Sequence, residues 1–313
     1  MGVIFTKILI IFLVVIIGFI ANRAGRIPTE ANPYLINILL DITTPCMILS
    51  SIISNTLTPE TMQVTLEVVI GTVIFFLAEW PIALLIIKIL HYEPKTDHGV
   101  LIVIMSAVNT GFMGFPITRT LFGSEFFFYM AMENIVLGIY LYFLTVLQMD
   151  QGSGRRPDVK SGLRSLCNNC MLFSIIGVIM LCLGVKLPTQ AMSFLDLVGD
   201  ATVPLSMLVV GVQLGDSNIR KLFQNGKLLA VSLANVIVMP ALTFLAVNWL
   251  PITAKGKLIL VFAAAFPCAV VTVAMANREN KNATLMAEGV ALTTLLSLFT
   301  LPIWAMFLEE LYL

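Results

Sequence analysis

The chain has 313 residues, of which 58% are hydrophobic and only 12% charged, and its mean hydropathy is +0.97. A soluble globule carries about 25% charged residues, so the composition excludes one and indicates a polytopic membrane protein. Eighteen basic residues balance eighteen acidic ones, which leaves no basic surplus for nucleic acid.

Apolar runs of around 20 residues are long enough to cross a bilayer. They are expected at 4–22, 33–54, 64–90, 99–121, 126–148, 165–185, 192–214, 224–250, 257–277 and 285–308. The first run is followed, not preceded, by basic residues (Arg23 and Arg26) and shows no small-x-small cleavage pattern. It is therefore expected to stay as the first helix. Between the fifth and sixth runs lies the polar stretch MDQGSGRRPDVKSG, residues 149–162. Cys167-Asn-Asn-Cys170 has a metal-site spacing, but one pair of ligands is too few for zinc. No metal and no cofactor are expected.

The runs repeat. Ile27-Pro-Thr-Glu-Ala31 is answered by Leu187-Pro-Thr-Gln-Ala191, and Asp41-Ile-Thr-Thr-Pro45 by Asp200-Ala-Thr-Val-Pro204. Phe115-Pro116 is answered by Phe266-Pro267, and Met130-Ala-Met-Glu133 by Leu285-Met-Ala-Glu288. Four matches in the same order indicate duplication. The expected organisation is a five-helix repeat at 1–148, a cytoplasmic linker at 149–164 and a second five-helix repeat at 165–313. An odd number of spans per repeat inverts the second half in the membrane. With the N-terminus outside, thirteen of the eighteen Lys and Arg residues fall in cytoplasmic loops, and five (Lys7, Arg119, Lys186, Lys255, Lys257) on the other side. This split fits the positive-inside rule and puts both termini outside the cell.

Val108-Asn-Thr-Gly-Phe-Met-Gly-Phe-Pro116 interrupts the fourth span with residues a membrane helix avoids. The ninth span carries Phe266-Pro267-Cys268 at the matching place. Paired interrupted spans in inverted repeats are the architecture of secondary transporters. Half-helix starts near each proline would offer orphan N–H groups and positive dipole ends, which together suit an anion. Asn109, Thr110, Gly111, Pro116, Phe266, Pro267 and Cys268 are therefore candidate substrate-binding residues. Asp41, Thr43 and Asn134 are candidates for shaping the same pocket. Ionisable groups within spans are functional candidates by default, which singles out Glu79, Glu133 and Asp200 for proton or cation coupling. Arg119 is expected to anchor at the outer interface. No Gly-x-Ser-x-Gly, His-Glu-x-x-His or phosphate loop is present, so no enzyme is expected.

Asn109-Thr-Gly-Phe-Met-Gly-Phe-Pro116, Val203-Pro-Leu-Ser-Met-Leu-Val-Val-Gly-Val-Gln-Leu214 and Gly18-Phe-Ile-Ala-Asn-Arg-Ala-Gly25 resemble signatures of the auxin efflux carrier family. That family includes plant PIN-type carriers and bacterial malate/malonate carriers. The resemblance covers almost the whole chain. It implies an all-α membrane protein of the bile-acid and sodium/proton transporter fold, with ten transmembrane helices in two inverted five-helix repeats and crossed, interrupted helices four and nine. Helices one, two, six and seven would form a scaffold, through which family members form homodimers, and the rest a moving transport domain. The short central loop and the Pro267-Cys-Ala-Val-Val sequence, with no Asn beside the proline, differ from PIN-type carriers and point to the bacterial dicarboxylate type. The expected activity is alternating-access movement of a small organic carboxylate, malate- or malonate-like, across the cell membrane, with membrane lipid around the protein and a proton or sodium ion as the coupling partner. Two other carriers, a sodium-coupled organic-anion symporter and an auxin-like monocarboxylate exporter, remain open. So does a non-transporting membrane sensor.

Overall fold

A computed structural model describes residues 2–149 and 169–313. The expected linker, beyond Met149, and Cys167 of the Cys-x-x-Cys pair lie outside the described residues. Every regular element among the described residues is a helix, apart from a single isolated bridge between Val108 and Cys268. Among the described residues, six helical stretches are long and apolar enough to cross a membrane: Phe5–Arg23, Thr29–Ser54, Pro59–Ile89, Thr189–Asp216, Gly226–Asn248 and Ala283–Tyr312. The other expected spans hold shorter or interrupted helices. Exposed faces are apolar where they would meet lipid, as at Leu9, Leu13, Ile16 and Ile20 on the first helix.

The contacts divide into two units that interleave the two halves of the sequence. The first comprises Met1–Leu66, Gly111–Ile135 and Cys167–Asp216. It contains α1 (Gly2–Arg23), α2 (Asn32–Ile38), α3 (Thr44–Ser54), α6 (Phe115–Phe122), most of α7 (Ser124–Ile139), α9 (Asn169–Cys182), α10 (Thr189–Asp200) and α11 (Thr202–Asp216). Its seam is α1 against α11. The inward stripe of α1 runs Ile8, Ile11, Val15, Gly18, a spacing of three and four residues that keeps one helical face inward. Gly18 and Gly211 allow the two backbones to touch: a Cβ on Gly18 would lie 2.3 Å from the Leu208 carbonyl oxygen, and one on Gly211 would lie 2.1 Å from that of Val15. Both glycines belong to the signatures quoted above, which are therefore the two sides of one helix contact. Small residues that admit such close approach are the usual means of packing helices in lipid, where burial alone supplies no drive.

The second unit comprises Glu67–Thr110, Val136–Leu166 and Ser217–Leu313. It holds most of α4 (Pro59–Ile89), then α5 (His98–Ser106), α8 (Thr145–Met149), α12 (Ile219–Leu222), α13 (Gly226–Leu233), α14 (Met239–Asn248), α15 (Ala254–Ala264), α16 (Val271–Arg278) and α17 (Ala283–Tyr312). Within this unit α4 buries Val68, Thr72, Phe76, Glu79, Ala83 and Ile87. A carboxylate therefore stands in a stripe that helical spacing otherwise reserves for packing.

Three π-helical turns, Leu39–Thr43, Thr110–Gly114 and Ala234–Val238, each lead into an α-helix with proline at its second position: Pro45, Pro116 and Pro240. Proline cannot donate to the carbonyl four residues back, and its ring crowds that oxygen. Widening the preceding turn moves the carbonyl aside and keeps the chain helical.

Candidate functional site

The interruption in the fourth span lies at Ala107–Asn109, between the end of α5 and the π-helical turn at Thr110. It therefore precedes Pro116, where the sequence had placed the start of the second half-helix. The reason is local: at the second position of α6 Pro116 lacks only an N–H that the widened turn does not use. In the ninth span the interruption includes Pro267 itself, between α15 and α16. Phe115-Pro116 and Phe266-Pro267 are thus not equivalent in structure. What the structure brings face to face is Val108 and Cys268, across an isolated antiparallel bridge. In that register Asn109 stands opposite Pro267, and Ala107 opposite Ala269.

The two extended segments cross and share backbone hydrogen bonds. Asn109 donates its N–H to the Pro267 carbonyl at 2.8 Å, and Ala269 donates to the Ala107 carbonyl at 2.7 Å. Groups freed by the breaks are satisfied by side chains, as buried backbone requires. The Met105 carbonyl accepts from Asn235 Nδ2 at 3.0 Å, and the Cys268 N–H donates to Thr293 Oγ1 at 3.2 Å. Close packing of α17 on α5 brings Thr293 within reach, since a Cβ on Gly289 would meet Ile104 at 2.4 Å. The crossing therefore engages the N–H groups of Asn109, Cys268 and Ala269 within the protein. Left over is the Asn109 amide. The residue is only 4% exposed, and its Nδ2 has no hydrogen-bond partner among the described residues.

Thr110, Phe266, Pro267 and Cys268 are buried around the crossing in the same unit. Beside it a second polar group closes the end of α5. The Tyr140 hydroxyl lies 2.6 Å from Ser106 Oγ and donates to Gln148 Oε1 at 2.7 Å, while its ring stacks on Phe76 with centroids 3.9 Å apart. Glu79 is 2% exposed, and neither carboxylate oxygen has a hydrogen-bond partner among the described residues.

The remaining candidates lie in the first unit. Gly111 faces Asn134, whose Nδ2 would be 3.1 Å from a Cβ at that glycine. Pro116 and Thr43 are buried, Thr43 donating to the Leu39 carbonyl at 3.3 Å. Glu133 is buried, and it interacts with neighbouring groups. Asp41 is exposed and accepts from Asn169 Nδ2 at 3.0 Å. Asp200, two-thirds exposed, is ion-paired with Arg119 at 3.0 Å. Neither aspartate is the buried acid that its place in the span suggested, because each sits at a bend that turns it outward. Arg119, expected as an interfacial anchor, makes this ion pair from a quarter-exposed side chain. Thr293, Asn235, Ser106, Tyr140 and Gln148 were missed from sequence. Their one legible signal is that a hydroxyl or amide stands within an apolar run.

Among the described residues no cluster of His, Cys, Asp and Glu could hold a metal ion.

Residues 3–305 match a family described as membrane transport proteins. Two curated relatives align along nearly their whole length. One, an uncharacterized transporter of Methanocaldococcus jannaschii, is 26% identical over 307 residues, covering 95% of this chain and 96% of the relative. The other, an uncharacterized transporter of Methanothermobacter thermautotrophicus, is 24% identical over 308 residues, covering 96% and 97%.

Proposed function

The chain belongs to the membrane transport protein family, the auxin efflux carrier family that its signatures resemble, and from that premise we propose an ion-coupled carrier of small organic carboxylates. It is a multi-pass membrane transporter and not an enzyme. The finer reading is ours: a malate- or malonate-like dicarboxylate, moved by alternating access across the cell membrane by a homodimer. Both termini face outward, and the two five-helix halves at 1–148 and 165–313 are inverted.

One observation carries the substrate class. At the crossing of two broken helices, a buried amide holds out N–H groups that nothing among the described residues accepts. An unmade hydrogen bond on a buried donor costs about 1–3 kcal/mol, and a ligand with acceptor oxygens recovers that cost on binding. The start of α16, one residue past Ala269 and Val270, adds the positive end of a helix dipole, roughly half an elementary charge. A donor amide and a positive helix end favour a carboxylate over an amide or an amine.

The test is a thermal-shift panel on purified protein with malate, malonate, the matching diamide and the matching diamine at fixed pH. A ligand that binds the native state raises the melting temperature. The acids should stabilise the wild type, and Asn109→Ala should lose most of that shift while melting normally without ligand. Equal stabilisation by amide or amine would overturn the assignment.

A further inference from the structure

Of the acids picked out by position in the membrane, Glu79 alone is both buried and unpartnered among the described residues. Asp41 and Asp200 have partners and solvent, and Glu133 is engaged by neighbours. Glu79 borders a cavity of about 120 Å³ lined by α4, α14 and α15, through residues such as Gly71, Phe75, Ala78, Leu242, Ala246 and Leu260. Besides Glu79, the lining carries one polar side chain, Thr243, whose hydroxyl already donates to the Met239 carbonyl at 2.9 Å.

We propose that Glu79 is the coupling group of the carrier and that the ion it takes up is a proton, not sodium. A hard cation leaving water needs several oxygens to replace its hydration shell. This cavity offers one carboxylate and a hydroxyl committed elsewhere. A proton needs a single oxygen, and binding it turns an unpaired buried charge, which the interior penalises heavily, into a neutral carboxyl. The inward stripe of α4 provides the setting, so the acid is read by the protein and not by bulk water.

The charged and titratable surroundings are few. The lining residues of α14 and α15 include no ionisable side chain. Tyr140, from the turn Tyr140–Leu144, meets α4 where its ring stacks on Phe76, and Cys268 is buried at the crossing. On α4 itself, Glu67 and Lys88 lie more than two turns away, and Glu67 is held by the Thr253 N–H at 3.0 Å and by its hydroxyl. Tyr140 supplies the route to the substrate. Its ring stacks on Phe76, one turn before Glu79, and its hydroxyl is bonded to Ser106, the residue before the extended segment that ends at Asn109. Loss of the proton places a negative charge beside the group that closes α5, and so biases the crossing.

This inference rests on the carboxylate-carrier reading, and two readouts separate the failure of one from the failure of the other. In proteoliposomes with labelled malate as the probe, an inward gradient of one pH unit supports up to about tenfold accumulation per proton. The wild type should accumulate malate under that gradient and ignore a sodium gradient. Glu79→Gln, which imitates the protonated side chain, should still exchange malate across the membrane and no longer respond to pH. Retention of the pH response by Glu79→Gln, or a wild type driven by sodium, overturns the proposal. If the wild type moves neither malate nor malonate, the substrate reading fails, and infrared titration of the purified protein decides Glu79 independently. A protonated-carboxyl stretch present at neutral pH, absent from Glu79→Gln and lost on alkalinisation, supports it. A spectrum unchanged by the substitution overturns it.

Discussion

Adding one methyl at Gly211 tests the contact on which the first unit is built. A Cβ there would stand 2.1 Å from the Val15 carbonyl oxygen and 2.8 Å from the Phe19 nitrogen, against an ordinary contact beginning at 3.4 Å. Both obstacles are backbone, so no side chain can swing aside. The helices must part by about 1.3 Å, and a gap of that size forfeits half or more of the dispersion attraction along the seam. Forced overpacking of this kind costs up to about 3 kcal/mol. At roughly 2 °C per kcal/mol for a chain larger than a small domain, the melting temperature of Gly211→Ala should fall by about 6 °C. The assay is thermal unfolding of purified protein in one detergent at one pH. Gly226→Ala is the control, because a Cβ at Gly226, the first residue of α13, meets nothing within 4 Å. It should leave the midpoint unchanged or raise it slightly. If Gly211→Ala melts with the wild type, α1 and α11 do not meet by backbone contact, and the account of the two signatures is wrong.

Thr293→Val keeps the side-chain shape but removes the acceptor for the buried Cys268 N–H, and should cost about 1–3 kcal/mol. Thr293→Ser should recover most of the melting temperature, and equal stability of the Val variant would show that the hydroxyl does not hold the crossing. For the topology, Gln224→Cys, exposed in the loop between α12 and α13, should react with an impermeant thiol reagent only after cells are opened. The background for that test lacks the five native cysteines, and labelling in intact cells would invert the assignment drawn from the positive charges.

Interruption of the fourth span was legible because Asn109, Gly111, Gly114 and Pro116 offend against a lipid-embedded helix together. Its place was not legible. Proline is a strong breaker within a helix but an ordinary second residue of one, and only the structure distinguishes the two by widening the turn ahead of Pro116. Position along the 64–90 run put Glu79 at the centre of its span, and it lies on the buried face of α4. Depth along a helix does not say which way a bend points, and Asp41 and Asp200 are exposed. The partners of the crossing were illegible for a different reason: Thr293 serves Cys268 from 25 positions away and Asn235 serves Met105 from 130. A lone hydroxyl or amide in an apolar run does not reveal which distant carbonyl or N–H it faces. Likewise Met130-Ala-Met-Glu133 and its counterpart at 285–288 look alike in sequence. Yet Glu133 is buried, while Glu288 is half-buried and pairs with Lys221 at 3.3 Å.

The π-helical turns bear on how the length of this chain can vary. Each holds one residue more than an α-turn, and one residue rotates everything after it by about 100° around the helix axis. Deleting a residue elsewhere in a span would swing the downstream packing face toward lipid. A deletion within Leu39–Thr43 or Ala234–Val238 would instead convert the wide turn into a regular one and leave the downstream faces aligned. The strain would fall on Pro45 or Pro240, whose ring would then press on the carbonyl behind it. Loss of a residue there should accordingly be tolerated only in company with loss of the proline, so that insertion and proline form a single heritable unit.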